Sequence, residues 1–422
     1  MCRVKEVKAA RPAKSARMLA QSETAAEPRP PQIRISAGTG RLGSEQAFDV
    51  LARARELEAQ GRDIIHLEVG EPDFDTPEHV KRAAIAAIEA NQTHYTPSAG
   101  IALLRDTIAD YAARFRDVAP FARDQVVVGP GLKPIIWNVL SVLLDPGDEF
   151  VYADPAYPAY ASAASYLQAK AIPVPLLERT NFRLDLDELA AKISPRTKVL
   201  LLNSPHNPTG GVLTRADLER IAELAIRNDV TVISDEIYNR NLYDAEFFSI
   251  ASLDGMRERT ILLDGFSKAY AMTGWRLGYA IMPAHVARAV ALMGQNTYSC
   301  TATFVQLAGA AALTGPDEPV QAMVAEFRRR RDAIVAELNS LPGVTCKTPE
   351  GAFYVFPNVS QITTDDARLA SYLLEEAGVA ALGGSAFGAA GRGYMRFSYA
   401  ASLDTIHAAL ARVRDALPNF KA

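Results

Sequence analysis

Short, continuous apolar runs alternate with helix-periodic stretches through the middle of this chain. That alternation constrains the fold more than any other feature of the sequence. The runs fall at residues 126–128, 150–153, 199–202, 230–233, 261–263 and 277–281, each bounded by turn residues. Helical stretches such as 213–227 separate most of them. Strands that are apolar on both faces and alternate with helices give an α/β domain with a mostly parallel central sheet flanked by helices. Antiparallel exceptions stay open. Ahead of the first run, Thr76-Pro77-Glu78 predicts an N-cap followed by proline at the first helical position. Val80, Ala84, Ile85 and Ile88 then recur at helical spacing, and a second helix is expected over 101–115.

The pattern changes toward the C-terminus. A long helix is expected over 320–341, carrying Arg328, Arg329, Arg330 and Arg331, a charge run that reads as a solvated helix face. Strand-like pieces follow at 344–348 and 352–356, a helix near 365–377, a further strand-like piece at 394–399 and a last helix from Thr405. This is the pattern of a smaller α+β unit. The expected division is a flexible basic N-terminal extension over 1–32, a segment joining the small domain over 33–75, a large α/β domain over 76–318 and a C-terminal small domain over 319–422.

Composition bounds the function. The chain has 422 residues with 45 basic and 49 acidic side chains, a formal charge of −4, which argues against a dedicated nucleic-acid binder. Cys2, Cys300 and Cys346 lie far apart, in no zinc spacing and no disulfide framework, so a reducing cytoplasm is the expected setting and no metal is expected. No apolar run approaches the roughly 18 residues of a spanning helix, so no membrane partner is expected. The N-terminal segment is basic and proline-bearing, but Glu6, Glu23 and Glu27 suit a targeting peptide poorly, and it is too short for a helix-turn-helix domain.

In open parallel sheets, ligands bind beyond the carboxyl ends of the strands. After 126–128 comes Gly129-Pro130-Gly131-Leu132-Lys133, a glycine turn into a helix whose N-terminal amides suit a phosphate. After 199–202 comes Asn203-Ser204-Pro205-His206-Asn207-Pro208-Thr209-Gly210, which by itself is a turn. After 230–233 comes Ser234-Asp235-Glu236-Ile237-Tyr238, with an acid ending a buried strand; a helix N-cap is the plainer account of Asp235. After 261–263 comes Asp264-Gly265-Phe266-Ser267-Lys268, with Lys268 among small and apolar residues where a desolvated amine becomes a nucleophile. Taken together, a phosphate cradle, an acid, a phenol, an amide and a lysine at one end of one sheet are what pyridoxal 5'-phosphate needs. The lysine forms a Schiff base and the acid holds the pyridine nitrogen protonated.

Asn207-Pro208-Thr209-Gly210, Ser234-Asp235-Glu236-Ile237-Tyr238 and Ser267-Lys268 with Arg276 eight residues on resemble the fold-type I, class I aminotransferases. The resemblance runs from about Ile33 to the C-terminus. LEVGEPDF at 67–74 and FSKAYAMTGWRLGY at 266–279 are most similar to the bacterial aspartate and broad-range subgroup. It implies a transaminase of amino acid metabolism that works by a ping-pong cycle: an L-amino acid enters, a 2-oxo acid leaves, and the amino group passes to a second oxo acid. It also implies roles. Lys268 is the Schiff-base lysine and the proton shuttle, and Asp235 pairs with the pyridine nitrogen. Tyr238 and Asn207 bond the cofactor 3′-oxygen, and Tyr157 stacks on the ring. Gly131, Leu132 and Lys133 offer amides to the phosphate, with Ser267 and Arg276 adding charge-assisted bonds. Tyr95 reaches the phosphate of a neighbouring subunit, which makes the active unit a homodimer. Arg396 takes the substrate α-carboxylate bidentately, and Gly70 closes over the substrate.

The sequence also departs from the pattern. One dicarboxylate-specific branch uses a second arginine in the segment matching 293–300, which here reads MGQNTYSC. An acidic side chain therefore needs another cation, and neutral and aromatic side chains stay equally open. Leu132 and Pro134 are bulkier than the small residues expected in the cradle. The same sites also occur in β-eliminating lyases, cyclopropane-forming synthases and oxidases, and in sensor domains of transcription regulators that carry an N-terminal DNA-binding domain.

Overall fold

Eight strands build the central sheet, and their order explains where the site lies. In the computed structural model, which describes residues 33–421, β1 (Ile65–His66) precedes this sheet. The sheet comprises β2 (Val126–Gly129), β3 (Glu149–Asp154), β4 (Lys170–Leu177), β5 (Arg183–Leu184), β6 (Thr197–Asn203), β7 (Thr231–Asp235), β8 (Thr260–Gly265) and β9 (Gly278–Ile281). Their order is β2-β9-β8-β7-β6-β3-β4-β5. Neighbours from β8 to β4 are parallel, whereas β9 runs antiparallel to both β8 and β2, and β5 is antiparallel to β4. The strands β2, β8 and β9 are buried throughout, as both-faced cover by helices requires. The expected α/β class holds.

The run β4 was not anticipated, because Pro173 and Pro175 interrupt it and proline reads against a strand. Here β5 pairs only with Leu176 and Leu177, past both prolines, so their missing N–H groups leave that ladder intact.

Helices α1 (Gln46–Ala59), α2 (Glu78–Glu89), α3 (Ala102–Arg116), α4 (Leu132–Leu143) and α5 (Ala159–Tyr166) come early in the chain. Two expectations about α2 need correcting. Thr76 does not cap it; the cap position is Pro77, and Thr76 Oγ1 instead donates to Ala271 O at 2.7 Å and accepts from Trp275 Nε1 at 3.0 Å. Its core face is Val80, Ala84 and Ala87, while Ile85 and Ile88 are exposed.

The C-terminal part adds β10 (Tyr354–Val355), β11 (Val379–Ala380), β12 (Leu382–Gly383) and β13 (Met395–Ser398). β13 lies between β10 and β12, antiparallel to both, and β11 pairs in parallel with β1, tying the segment before α2 to this end of the chain. The strand expected at 344–348 reduces to a single bridge between Thr345 and Asn358. The arginine run of helix Glu318–Asn339 is solvated only at Arg328 and Arg329. Arg330 and Arg331 are buried, Arg330 on Asp73 (2.6 Å) and Phe74, Arg331 on Asp244 (2.6 Å) and Tyr243. Ion pairing and ring stacking offset the burial of those guanidinium groups.

Residues 38–421 form one compact unit, and the described residues before it, 33–37, carry no strand or α-helix. The extension expected over 1–32 lies outside the described residues. Among the described residues no helix is long and apolar enough to cross a membrane.

Candidate active site

The antiparallel turn of β9 brings its first residue to the same edge as the last residues of β2 and β8. Gly278 pairs with Gly129 on one side and with Gly265 on the other. This row of glycines lets the turn into α4 lie directly on the sheet end. A Cβ at Gly278 would stand 2.8 Å from Leu132 N. Gly131 has φ +91°, and a Cβ there would meet Arg276 Nη2 at 2.3 Å, so the guanidinium lies against bare backbone. Arg276 itself sits at φ +55°, a conformation rare for a side-chain-bearing residue and one that the close packing of this turn maintains. The amides of Leu132 and Lys133 open α4 and have no partner within it. Gly131 N donates to Gly129 O at 2.8 Å and is the least available of the three.

A cavity of about 520 Å³ opens at this edge. It is lined by Gly70, Leu132, Lys133, Tyr157, Asn207 and Asp235, and also by Tyr238, Ser267, Lys268, Arg276 and Arg396. Of the residues singled out from the sequence, Gly131 lies behind Arg276 and Tyr95 stands away from the cavity, 92% exposed.

Lys268 follows β8. Its Nζ donates to Gly70 O and lies over the rings of Tyr238 and Phe353. Burial depresses its pKa to about 8, against the opposing pull of Glu71. Asp235 ends β7 and is not a helix cap; it accepts from Ile237 N at 3.2 Å and from Tyr160 Oη at 2.6 Å. Burial raises its pKa to about 7, and the Tyr160 hydrogen bond partly opposes this. A cationic ring nitrogen is the partner that would hold this carboxylate ionised.

Arg396 on β13 is buried between the rings of Tyr354 and Phe387 (4.6 and 4.8 Å to their centroids). Its Nη1 donates to Asn207 Oδ1 at 3.3 Å and its Nη2 to Glu68 O, while its Nε is buried with no partner. A buried, unsatisfied guanidinium N–H calls for an anionic acceptor. Tyr238 Oη and Tyr354 Oη share a hydrogen bond of 2.8 Å, and a Cβ at Gly70 would fall 1.8 Å from Tyr354 Oη, so no larger residue fits there.

Reading by sequence missed Tyr160, Tyr354, Glu45 and Glu71. Tyr160 had only its nearness to Tyr157 in the sequence as a signal; Tyr354 and the two glutamates had none. Beneath Asp235, Arg116 pairs with Glu236 (2.6 Å) and Asp264 (2.7 Å), all buried.

A glycine-lined anion cradle, a desolvated lysine and a buried acid on one α/β sheet edge define a pyridoxal-phosphate enzyme of the aminotransferase type, and the residues fit that cofactor. The comparisons agree. The family model for aminotransferase class I and II matches residues 62–413. An aspartate aminotransferase of Musicola paradisiaca is 37% identical over 90% of this chain and 96% of its own length. Aromatic-amino-acid aminotransferase 2 of Thermococcus litoralis is 39% identical over 86% of this chain and 94% of its own. The solved aspartate aminotransferase of Thermus thermophilus with maleate is 37% identical with a TM-score of 0.88, covering 91% of this chain and all of that one. The chain belongs to the class I and II aminotransferases. It is a pyridoxal-phosphate enzyme that transfers amino groups between amino acids and 2-oxo acids.

Proposed function

We propose that Lys268 carries the cofactor and moves the reacting proton, and that Arg396 orients the amino acid by its α-carboxylate. When bound, the cofactor ring supplies the electron sink that makes the substrate Cα–H acidic. Lys268 Nζ takes that proton and returns it, and its depressed pKa of about 8 suits an amine that must be free near neutrality. Asp235 holds the ring nitrogen, Tyr238 and Asn207 the 3′-oxygen, and Tyr157 one ring face. The amides of Leu132 and Lys133, the hydroxyl of Ser267 and the guanidinium of Arg276 would hold the phosphate, while the Gly131 amide is already engaged by Gly129 O. Gly70 lies where the backbone closes on the substrate. The observation that supports this reading is the gathering of Lys268, Asp235 and Arg396 around one cavity.

In this reading residues 76–318 are the cofactor domain and 319–422, joined by 33–75, the small domain. Tyr95 serves the cofactor phosphate of a second subunit in a homodimer. The exposure of Tyr95 together with Ile85, Ile88 and Leu103 supports a covered face there. Free Cys300 and Cys346 suit a reducing cytoplasm. Lys268→Ala is expected to abolish turnover and the absorbance of the covalently held cofactor while the circular dichroism spectrum is kept. Full activity in that variant would remove the assignment.

A further inference from the structure

The cavity carries an acid whose placement bears on which amino acids enter. Glu45, at the cap position of α1, lines the cavity with Phe48 and Lys133. Its Oε1 lies 2.6 Å from Lys133 Nζ and accepts from Tyr157 Oη at 2.9 Å. Lys133 is further engaged by the rings of Phe48 and Tyr157, 5.6 and 5.8 Å away. The other cations lining the cavity have roles in the reading above: Lys268 for the cofactor, Arg276 for the phosphate and Arg396 for the α-carboxylate. Lys133 is the lining cation left to receive an acidic side chain, and a carboxylate of the chain itself is already seated on it. A second lining acid, Glu71, accepts from Thr273 Oγ1.

A dicarboxylate substrate that reaches Lys133 meets an ammonium already paired with Glu45, and lies beside that carboxylate. A neutral side chain meets the exposed ring of Phe48 and brings no second carboxylate to Glu45. We propose that Glu45 is a specificity-determining residue that turns this site toward amino acids with neutral, apolar or aromatic side chains and against dicarboxylates. This rests on the assignment of Arg396 to the α-carboxylate. Like charges brought together at a recognition surface are costly and so discriminate against the wrong partner.

The test uses two unreactive ligands on the cofactor-loaded enzyme, succinate and 3-phenylpropionate, with Kd read by calorimetry rather than turnover. The wild type is expected to bind 3-phenylpropionate more tightly, and Glu45→Gln to shift the ratio of the two Kd values toward succinate by about tenfold, the effect of roughly 1.4 kcal/mol. Tighter binding of succinate by the wild type, or a Glu45→Gln ratio within about threefold of the wild-type value, would overturn the proposal. Arg396→Ala separates the two ideas. Loss of both ligands together supports the α-carboxylate assignment, whereas unchanged affinity for both sinks that assignment on its own.

Discussion

Lys268 and Asp235 show how burial sets chemistry one residue at a time. The same desolvation pushes the amine down to about 8 and the carboxyl up to about 7, so each group is drawn toward its neutral form. For the lysine the sign is direct. Its charged form is disfavoured in the folded state, and that penalty is relieved as pH rises from about 8 toward the ordinary lysine value of 10.5. In the cofactor-free protein, labelling of Lys268 by a small amine-reactive reagent is expected to reach half its maximal rate near pH 8, as followed by peptide mass spectrometry; a half-point at 10 or above would contradict the burial argument. The family resemblance singled out Lys268, Asp235, Tyr238, Asn207 and Arg396 in the sequence, and all five line one cavity. Tyr354 was not legible, because its role depends on β10 lying beside β13, a pairing between distant segments that no local pattern records.

At the scale of elements, the sheet edge depends on what lies under β7 and β8. Arg116, from the end of α3, reaches between Glu236 just after β7 and Asp264 within β8, and Asn239 and Tyr279 donate to the same Asp264 Oδ2 at 2.6 and 2.9 Å. Burial acts to lower the Arg116 pKa, but its two acids more than compensate and leave it well above the ordinary value. Arg116→Met would leave two buried carboxylates without their cation. The expected cost is roughly 3–5 kcal/mol, read as a lowered urea midpoint; a midpoint within error of the wild type would show that the network contributes little. The strands of this sheet were readable because they are continuous apolar runs with turn residues at their ends. β4 was hidden by its prolines, and the burial of Arg330 and Arg331 by a charge pattern whose partners, Asp73 and Asp244, come from elsewhere in the chain.

For the whole molecule, the proposed homodimer makes each site a shared one. Tyr95 is exposed and does not line its own cavity, so its contribution is expected to be made across the subunit boundary. Tyr95→Ala alone should weaken cofactor binding at every site. Lys268→Ala alone should leave no active site. Dimers formed by mixing the two variants should recover one intact site each, giving turnover at cofactor concentrations where neither parent works. No recovery on mixing, with dimers verified by sedimentation, would contradict a contribution of Tyr95 across the subunit boundary. The α/β class and the cofactor were legible at this scale because the motif residues all fall at one end of the sheet. The choice of substrate was not, because it is set by Glu45 and Lys133, contributed by two segments that only the fold brings to within 2.6 Å.

The most direct test of the account is a single half-reaction. The cofactor-loaded enzyme is mixed with one amino acid and no acceptor, and the released 2-oxo acid and ammonia are both measured. The account predicts one equivalent of 2-oxo acid per site, no ammonia, and neither product from Lys268→Ala. Ammonia released with the oxo acid, or a full equivalent of oxo acid from Lys268→Ala, would contradict it.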